Sequence, residues 1–409
     1  MSSSITIKSF VMGSGERYCL LVDAATNVPL FYPNLFVTTQ VRNASLSYSS
    51  MESALSCISV LLKYCSARKI DLVERIKTGE LLKLNEVDAL ADFCQLNLSS
   101  KVLGNKVSKI FNVKNRGVAN ETVYIRLSII ANYIQWLGNL LIPSSSAVEI
   151  KKNLSALASK IRSRRPVKKG RNQSLVNRGL SNDQVDLLFE IFRPESDINP
   201  FKGRSTKIRN RLMFLMLHYL GIRMGELLSI KVKDIDFSKN LIVIARRADE
   251  KSDPRTDQPL VKTMDRLLPM AETLVDEIHN YVINYRKKEL AARKHEYLFV
   301  VHKPGPTSGQ PVSKATYNKI MTTVKSLSPM LIDFTGHALR HKWNEKFSER
   351  MDSMDSPDDE HQQEQLRSWL MGWKQGSGTA SVYNKRFVQA KAEEVSLILQ
   401  KKIEEKTSE

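Results

Sequence analysis

Between residues 160 and 178 the chain carries Lys160, Arg162, Arg164, Arg165, Lys168, Lys169, Arg171 and Arg178, and no acidic residue at all. Pro166 and Gly170 break any helix that would run through this tract. A block of like charge this dense repels itself, extends and stays mobile. One hydrophobic core cannot be threaded through such a segment, so the 409 residues are expected to fold as separate units. The divisions expected are a small accessory domain over 1–75, a helical domain over 76–159, the basic linker over 160–178, and a larger domain over 179–409 that ends in a helical tail.

On both sides of the linker the apolar residues recur with helical spacing. Leu55, Ile58, Leu62 and Cys65 mark a helix over about 50–65, and Leu84, Val87, Leu90, Ala91 and Cys94 mark another. The clearest stripe is Val123, Leu127, Ile130, Ile134, Leu137 and Leu141, which predicts a helix over 121–141. Residues 5–33 read instead as short strands: Ile5-Thr6-Ile7 alternates, Tyr18 to Val22 resembles a buried strand, and Pro29 and Pro33 punctuate. Beyond the linker, Ser181-Asn182-Asp183-Gln184 is a capping box, with Val185, Leu188, Phe189 and Phe192 as the apolar stripe behind it. A helix over 207–220 stops at Gly221. Strands are expected at 241–244 and 266–268, separated by a long polar loop holding Pro254 and Pro259. Helices are expected at 271–293 and 313–327, with a short strand at 297–300 between them. A helix over 335–351, an acidic loop over 352–360, a helix over 364–371 and a last helix over 388–405 complete the chain. The fold class is mainly α with small β elements: a helical domain, a mixed α/β domain and a small N-terminal accessory domain.

Charge narrows the partner. Lys and Arg number 62 against 43 Asp and Glu, a formal net charge of +19, which points to a polyanion. Lys101, Lys106, Lys109, Lys114 and Arg116 precede the 121–141 helix and make the first helical domain a candidate clasp on DNA; an ordinary bundle with lysines on its wet face is the alternative. Arg164, Arg165, Lys168, Lys169 and Arg171 of the linker would lie along the phosphate backbone; a plain flexible tether is the alternative. No transmembrane run, lipidation motif, basic amphipathic anchor or signal peptide is evident, so no membrane partner is expected. The four cysteines, Cys19, Cys57, Cys65 and Cys94, form no C-x-x-C pair and read as buried free thiols, as in a reducing cytosol. Asp352, Asp355, Asp358, Asp359 and Glu360 sit among Ser and Pro and read as a solvated loop rather than a metal site.

His337 and Arg340, in Thr335-Gly336-His337-Ala338-Leu339-Arg340-His341, share one helix face about a turn apart. Leu370-Met371-Gly372-Trp373 and then Tyr383 follow. Far upstream stands Gly221-Ile222-Arg223-Met224-Gly225-Glu226-Leu227-Leu228. In this order the three pieces resemble the catalytic domain of the tyrosine recombinase (phage integrase) family. Its pattern is an Arg in G-[LI]-R-x-x-E-L-L, a Lys in a β-hairpin, H-x-x-R, a His or Trp after L-G, and a nucleophilic Tyr about ten residues on. The resemblance covers about Gly179 to the C-terminus. Residues 81–141 resemble the family's core-binding domain more loosely, and residues 1–70 carry no motif of it.

The resemblance implies a site-specific DNA recombinase that cleaves and rejoins DNA through a 3′-phosphotyrosine, with Tyr383 as nucleophile and no cofactor or metal. Arg223 and Arg340 would meet the phosphate charge, since guanidinium is always charged and grips phosphate as a fork. Glu226 would orient Arg223. Lys262, in a K-x-x-x-R-x-x-P context with Arg266 and Pro269, would protonate the leaving oxygen, with Lys251 as the other candidate. His337 would act as acid/base or phosphate donor, and Trp373 as an indole donor and packing group. The implied partners are double-stranded DNA with specific recombination sites, a homo-tetramer of this chain in the synaptic complex, and accessory DNA-bending or directionality proteins. The implied setting is the bacterial cytoplasm, at the nucleoid. A type IB topoisomerase or a telomere resolvase would share the chemistry, and a catalytically idle DNA-binding protein would share the surface but not the nucleophile.

Overall fold

The computed structural model describes residues 5–44, 47–98, 117–142, 148–167, 179–352 and 360–374. The chain divides into two compact units, one of residues 1–12 and 17–175 and one of residues 13–16 and 176–409. Among the described residues no helix is long and apolar enough to cross a membrane.

The first unit opens with an antiparallel pair, β1 (Ile5–Val11) and β2 (Arg17–Asp23), in register from Ile5 opposite Asp23 to Val11 opposite Arg17. Helices α1 (Phe31–Phe36), α2 (Tyr48–Ala67), α3 (Leu72–Thr78), α4 (Leu84–Cys94), α5 (Asn120–Leu141) and α6 (Val148–Ser163) follow, α1 running on into a π-helical turn over Val37–Arg42. Asn34 ties α1 to β2: its carboxamide accepts from Leu21 N–H at 2.8 Å and donates to Leu21 O at 2.9 Å. Asp71 caps α3 by accepting from Glu74 N–H at 3.0 Å. On α2 the buried stripe is Leu55, Ile58, Leu61 and Cys65, with Leu62 only half-buried. Leu21 of β2 and Leu55, Leu90, Leu127, Ile134 and Leu154 of the helices belong to one core. Elements on both sides of residue 75 share this core, because α2, which covers the apolar face of β2, also packs against α4 and α5. The four cysteines are free and buried; burial pushes the Cys57 thiol up to about 11 and those of Cys19, Cys65 and Cys94 to about 12.

The second unit contains α7 (Asn182–Phe192), α8 (Arg204–Leu220), α9 (Met224–Ser229), a three-stranded antiparallel sheet in the order β3 (Ile235–Asp236), β4 (Leu241–Ile244), β5 (Arg266–Pro269), and then α10 (Glu272–Asn284), α11 (Lys314–Lys325), α12 (Gly336–Asp352) and α13 (Glu360–Met371). The capping box at α7 is present: Gln184 N–H donates to Ser181 Oγ at 3.2 Å, and Ser181 N–H donates to Gln184 Oε1 at 2.7 Å. Leu188, Leu212, Met216, Leu227, Ile242, Leu268, Ile278, Val324 and Leu339 lie in one core. The polar stretch between β4 and β5 is fastened down. Arg255 grips Asp253 through Nε (2.9 Å) and NH2 (2.8 Å), and its NH1 donates to the carbonyls of Leu228 (3.0 Å) and Val312 (2.9 Å). In place of the expected strand at 297–300 there are isolated bridges, Lys231 with Tyr297 and Val300 with Pro311. The helix expected over 271–293 ends at Asn284 and gives way to 3₁₀ turns.

Candidate active site

Gly221 ends α8 in the left-handed conformation, φ 58°, and two residues later Arg223 caps α9. Glu226, in the first turn of α9, reaches back and accepts from Arg223 N–H at 2.7 Å. This hydrogen bond fixes the backbone of Arg223. Its guanidinium is about a third exposed, and NH1 stands 4.0 Å from Glu226 Oε1.

The Glu226 carboxylate is fully buried and turns chiefly elsewhere. Arg266 at the start of β5 donates to both of its oxygens, NH1 to Oε1 and NH2 to Oε2, each at 3.1 Å. The Thr263 hydroxyl also donates to Oε1. Arg340 NH1 lies 3.9 Å from Oε2. Burial opposes the charged form of Glu226, but the Arg266 hydrogen bonds and charge, with Thr263 and the Arg223 N–H, outweigh it and hold the carboxyl below the usual range.

Arg340, on α12, is 1 % exposed. Its NH1 donates to Gly221 O at 2.7 Å and its NH2 to Met371 O at 3.0 Å, so it bridges the end of α8 and the end of α13. Its guanidinium carbon lies 5.4 Å from the Trp373 ring centroid, within cation–π range. Trp373 is buried with Met371, against Trp343 and Leu370. His337 is exposed in the first turn of α12, its ring 4.4 Å from that of His341 in a T-shaped arrangement. Thr335 Oγ1 accepts from Ala338 N–H at 3.0 Å and so sets the start of that helix. Lys262 is exposed, one residue before the inward-turned Thr263. Lys251 is exposed too, on the same loop but eleven residues earlier.

Arg223, Glu226 and Arg340 are thus brought together, and Lys262 is joined to them through its neighbour Thr263. Tyr383, Lys168, Lys169 and Arg171 lie outside the described residues. So does the last helix, expected over 388–405. The other two tyrosines of this unit nearest the H-x-x-R motif are buried. Tyr317 is 4 % and Tyr297 2 % exposed, and burial raises the pKa of both. Arg164 and Arg165 correct the linker expectation. Helix α6 runs to Ser163, and both arginines fold back on the first unit. Arg164 Nε pairs with Asp88 at 2.8 Å, and Arg165 lies 4.6 Å over the Tyr124 ring. An acid and an aromatic face drew these cations in, which charge counting along the tract does not register.

The sequence pattern gives Thr263 no role and Arg266 only a place in the context of Lys262. The available signal was alternation: Arg266 and Leu268 take the inward positions of β5, and an inward arginine requires an acid.

The phage integrase family profile matches residues 178–389. The tyrosine recombinase XerD of Halalkalibacterium halodurans is 23% identical over 150 residues, 36% of this chain and 44% of that protein. Transposase A from transposon Tn554 of Staphylococcus aureus is 27% identical over 135 residues, 32% of this chain and 34% of that protein. The chain therefore spans less than half the length of these curated relatives. Among solved structures, the Tn1549 transposon integrase in complex with a circular intermediate DNA aligns over 90% of this chain and 99% of its own. The TM-score is 0.50 at 12% identity, a likeness of fold.

Proposed function

This chain belongs to the phage integrase family, and from that membership we propose that it is a site-specific DNA recombinase acting in the integration or excision of a mobile element. The observation that carries the reading is the Glu226 network. One buried carboxylate joins the helix start at Arg223, the hairpin beside Lys262 and Arg340 of the H-x-x-R motif, while Arg340 in turn holds the end of α13, the helix that leads toward Tyr383.

In the proposed reaction the Tyr383 oxygen attacks the scissile phosphorus and its proton passes to His337. The bond from phosphorus to the 5′-oxygen breaks, its electron pair leaves on that oxygen, and Lys262 supplies the proton. The 3′-phosphotyrosine keeps the bond energy, and attack by a 5′-hydroxyl of a partner strand reverses the step. Arg223, partly exposed, faces the phosphate as a fork. Arg340 adds its charge from behind, held between the carbonyls of Gly221 and Met371. Removing a fixed cation of this kind costs about 2.7–4 kcal/mol of transition-state stabilisation. Thr263 beside Lys262 favours Lys262 over Lys251 as the acid. Double-stranded DNA with specific sites is the substrate, in the cytoplasm and without cofactor or metal. A homo-tetramer forms the synaptic complex, and DNA-bending or directionality proteins are candidate accessories.

The test is a nicked suicide duplex carrying the element's end sequences. The wild-type chain is expected to form a covalent protein–DNA adduct, and Tyr383→Phe to bind the duplex without forming it. An adduct that survives Tyr383→Phe contradicts the assignment. Relaxation of a plasmid lacking any cognate site would point instead to a topoisomerase.

A further inference from the structure

The segment that carries Lys262 is fastened by two side chains to which the reaction above gives no part. Thr263 turns its hydroxyl onto Glu226 Oε1, and Arg266 grips both Glu226 oxygens while its NH1 also meets Thr263 Oγ1 at 3.1 Å. On its other side Arg266 Nε donates to Leu370 O at 2.6 Å, and Met264 N–H donates to Gly372 O at 2.9 Å. The turn after α13 sits so close that a Cβ on Gly372, φ 64°, would lie 2.7 Å from Arg266 NH1 and 2.9 Å from Met264 O. Residues 263–266 are therefore held from α9 and from α13 at once, and Lys262 is the exposed residue at the edge of that clamp. A buried ion pair is weak evidence for stability, since apolar residues of similar volume serve cohesion as well or better. Its distinctive effect is to fix geometry.

We propose that Thr263 and Arg266 are positioning residues for strand cleavage: through Glu226 they set the hairpin so that the Lys262 ammonium stands at the leaving 5′-oxygen. The inference rests on the recombinase reading and on Lys262 as the acid. It also separates from both by chemistry. An oxygen leaving group needs the Lys262 proton as the phosphorus–oxygen bond breaks. A bridging sulfur at the same place leaves as a thiolate, because a thiol ionises near about 8.5, and needs no proton. Misplacing Lys262 therefore slows cleavage of the oxygen substrate and spares the sulfur one.

Single-turnover cleavage is measured on suicide duplexes with a 5′-bridging oxygen or sulfur, for wild type, Lys262→Ala, Arg266→Lys and Thr263→Val. Thr263→Val keeps the side-chain shape and the Arg266–Glu226 pair, so it reads the effect even if Arg266→Lys folds poorly. Both positioning variants are expected to lose up to about 100-fold on oxygen. On sulfur they should come within a few-fold of wild type, as Lys262→Ala does, with DNA affinity unchanged. Equal losses on both substrates would mark a merely structural role, and no loss on oxygen would show that Lys262 needs no such support; either result overturns the inference. A Lys262→Ala defect that sulfur does not relieve would remove Lys262 as the acid and this inference with it. Absence of a wild-type adduct on both substrates would instead sink the recombinase reading itself.

Discussion

Burying a carboxylate is unfavourable unless donors replace its water, and Glu226 meets that condition with the Arg223 N–H, the Thr263 hydroxyl and the Arg266 fork. The spacing of Arg223 and Glu226 made their pairing legible in the sequence, but not its form. The main hydrogen bond is to the arginine's backbone, and the side-chain partner is Arg266, forty residues away in a strand that no local pattern links to α9. The glycine of Thr335-Gly336-His337 also has a reason that sequence does not reveal. A Cβ there would lie 2.1 Å from the Tyr317 hydroxyl and 3.4 Å from the Tyr317 ring carbon that bears it. That hydroxyl is buried and has no hydrogen-bond partner among the described residues. Gly336→Ala is therefore expected to destabilise the second unit by about 1–3 kcal/mol through overpacking. Adding Tyr317→Phe should restore most of the loss, because only the ring carbon remains, at ordinary van der Waals distance. Urea melts of the single and double variants check this; equal destabilisation in both would contradict the account.

Helices were legible where an apolar stripe ran long, as in α5 and α8, because 3.6-residue periodicity is written in the residues themselves. Strand and loop structure was less so. Tyr297 and Val300 make only isolated bridges, and the stretch between β4 and β5 looks in the sequence like a plain polar loop, whereas Arg255 holds it to Leu228 and Val312. Helix α8 carries one consequence for pH. His218 is buried among Phe189, Phe214 and Tyr219, with Lys346 Nζ 3.5 Å from its Nε2. Burial first, and then the charges of Lys346 and Lys342, lower its pKa from 6.5 to about 4. The unfolded chain thus takes up a proton that the folded one refuses. The contribution of His218 to stability is full above pH 6.5 and is lost as pH falls from 6.5 to about 4. His218→Phe is expected to flatten the fall in urea midpoint over that window; an unchanged slope would show that other groups cause it.

At the scale of the whole molecule, the chain divides into two compact units within the basic tract. Arg164 and Arg165 pack on the helical unit, where Asp88 and the Tyr124 ring engage them. This separates two parts of the tract in their expected effect on DNA binding. Replacing Lys168, Lys169 and Arg171 with Gln should lower the salt slope of DNA affinity by up to about 0.9 for each phosphate that is no longer neutralised. Replacing Arg164 and Arg165 should change it less. Equal slopes for all variants and wild type would make the tract a tether only. The net charge of +19 fits a polyanion partner but does not distinguish a binder from an enzyme. That distinction lies in the nucleophile, and Tyr317 and Tyr297 are both too buried to serve. The most direct measurement is therefore to trap the covalent adduct on a suicide duplex, digest protein and DNA, and identify by mass spectrometry the peptide that carries the residual nucleotide. The account predicts that the nucleotide is esterified to Tyr383; attachment to any other residue, or no adduct from the wild-type chain, would contradict it.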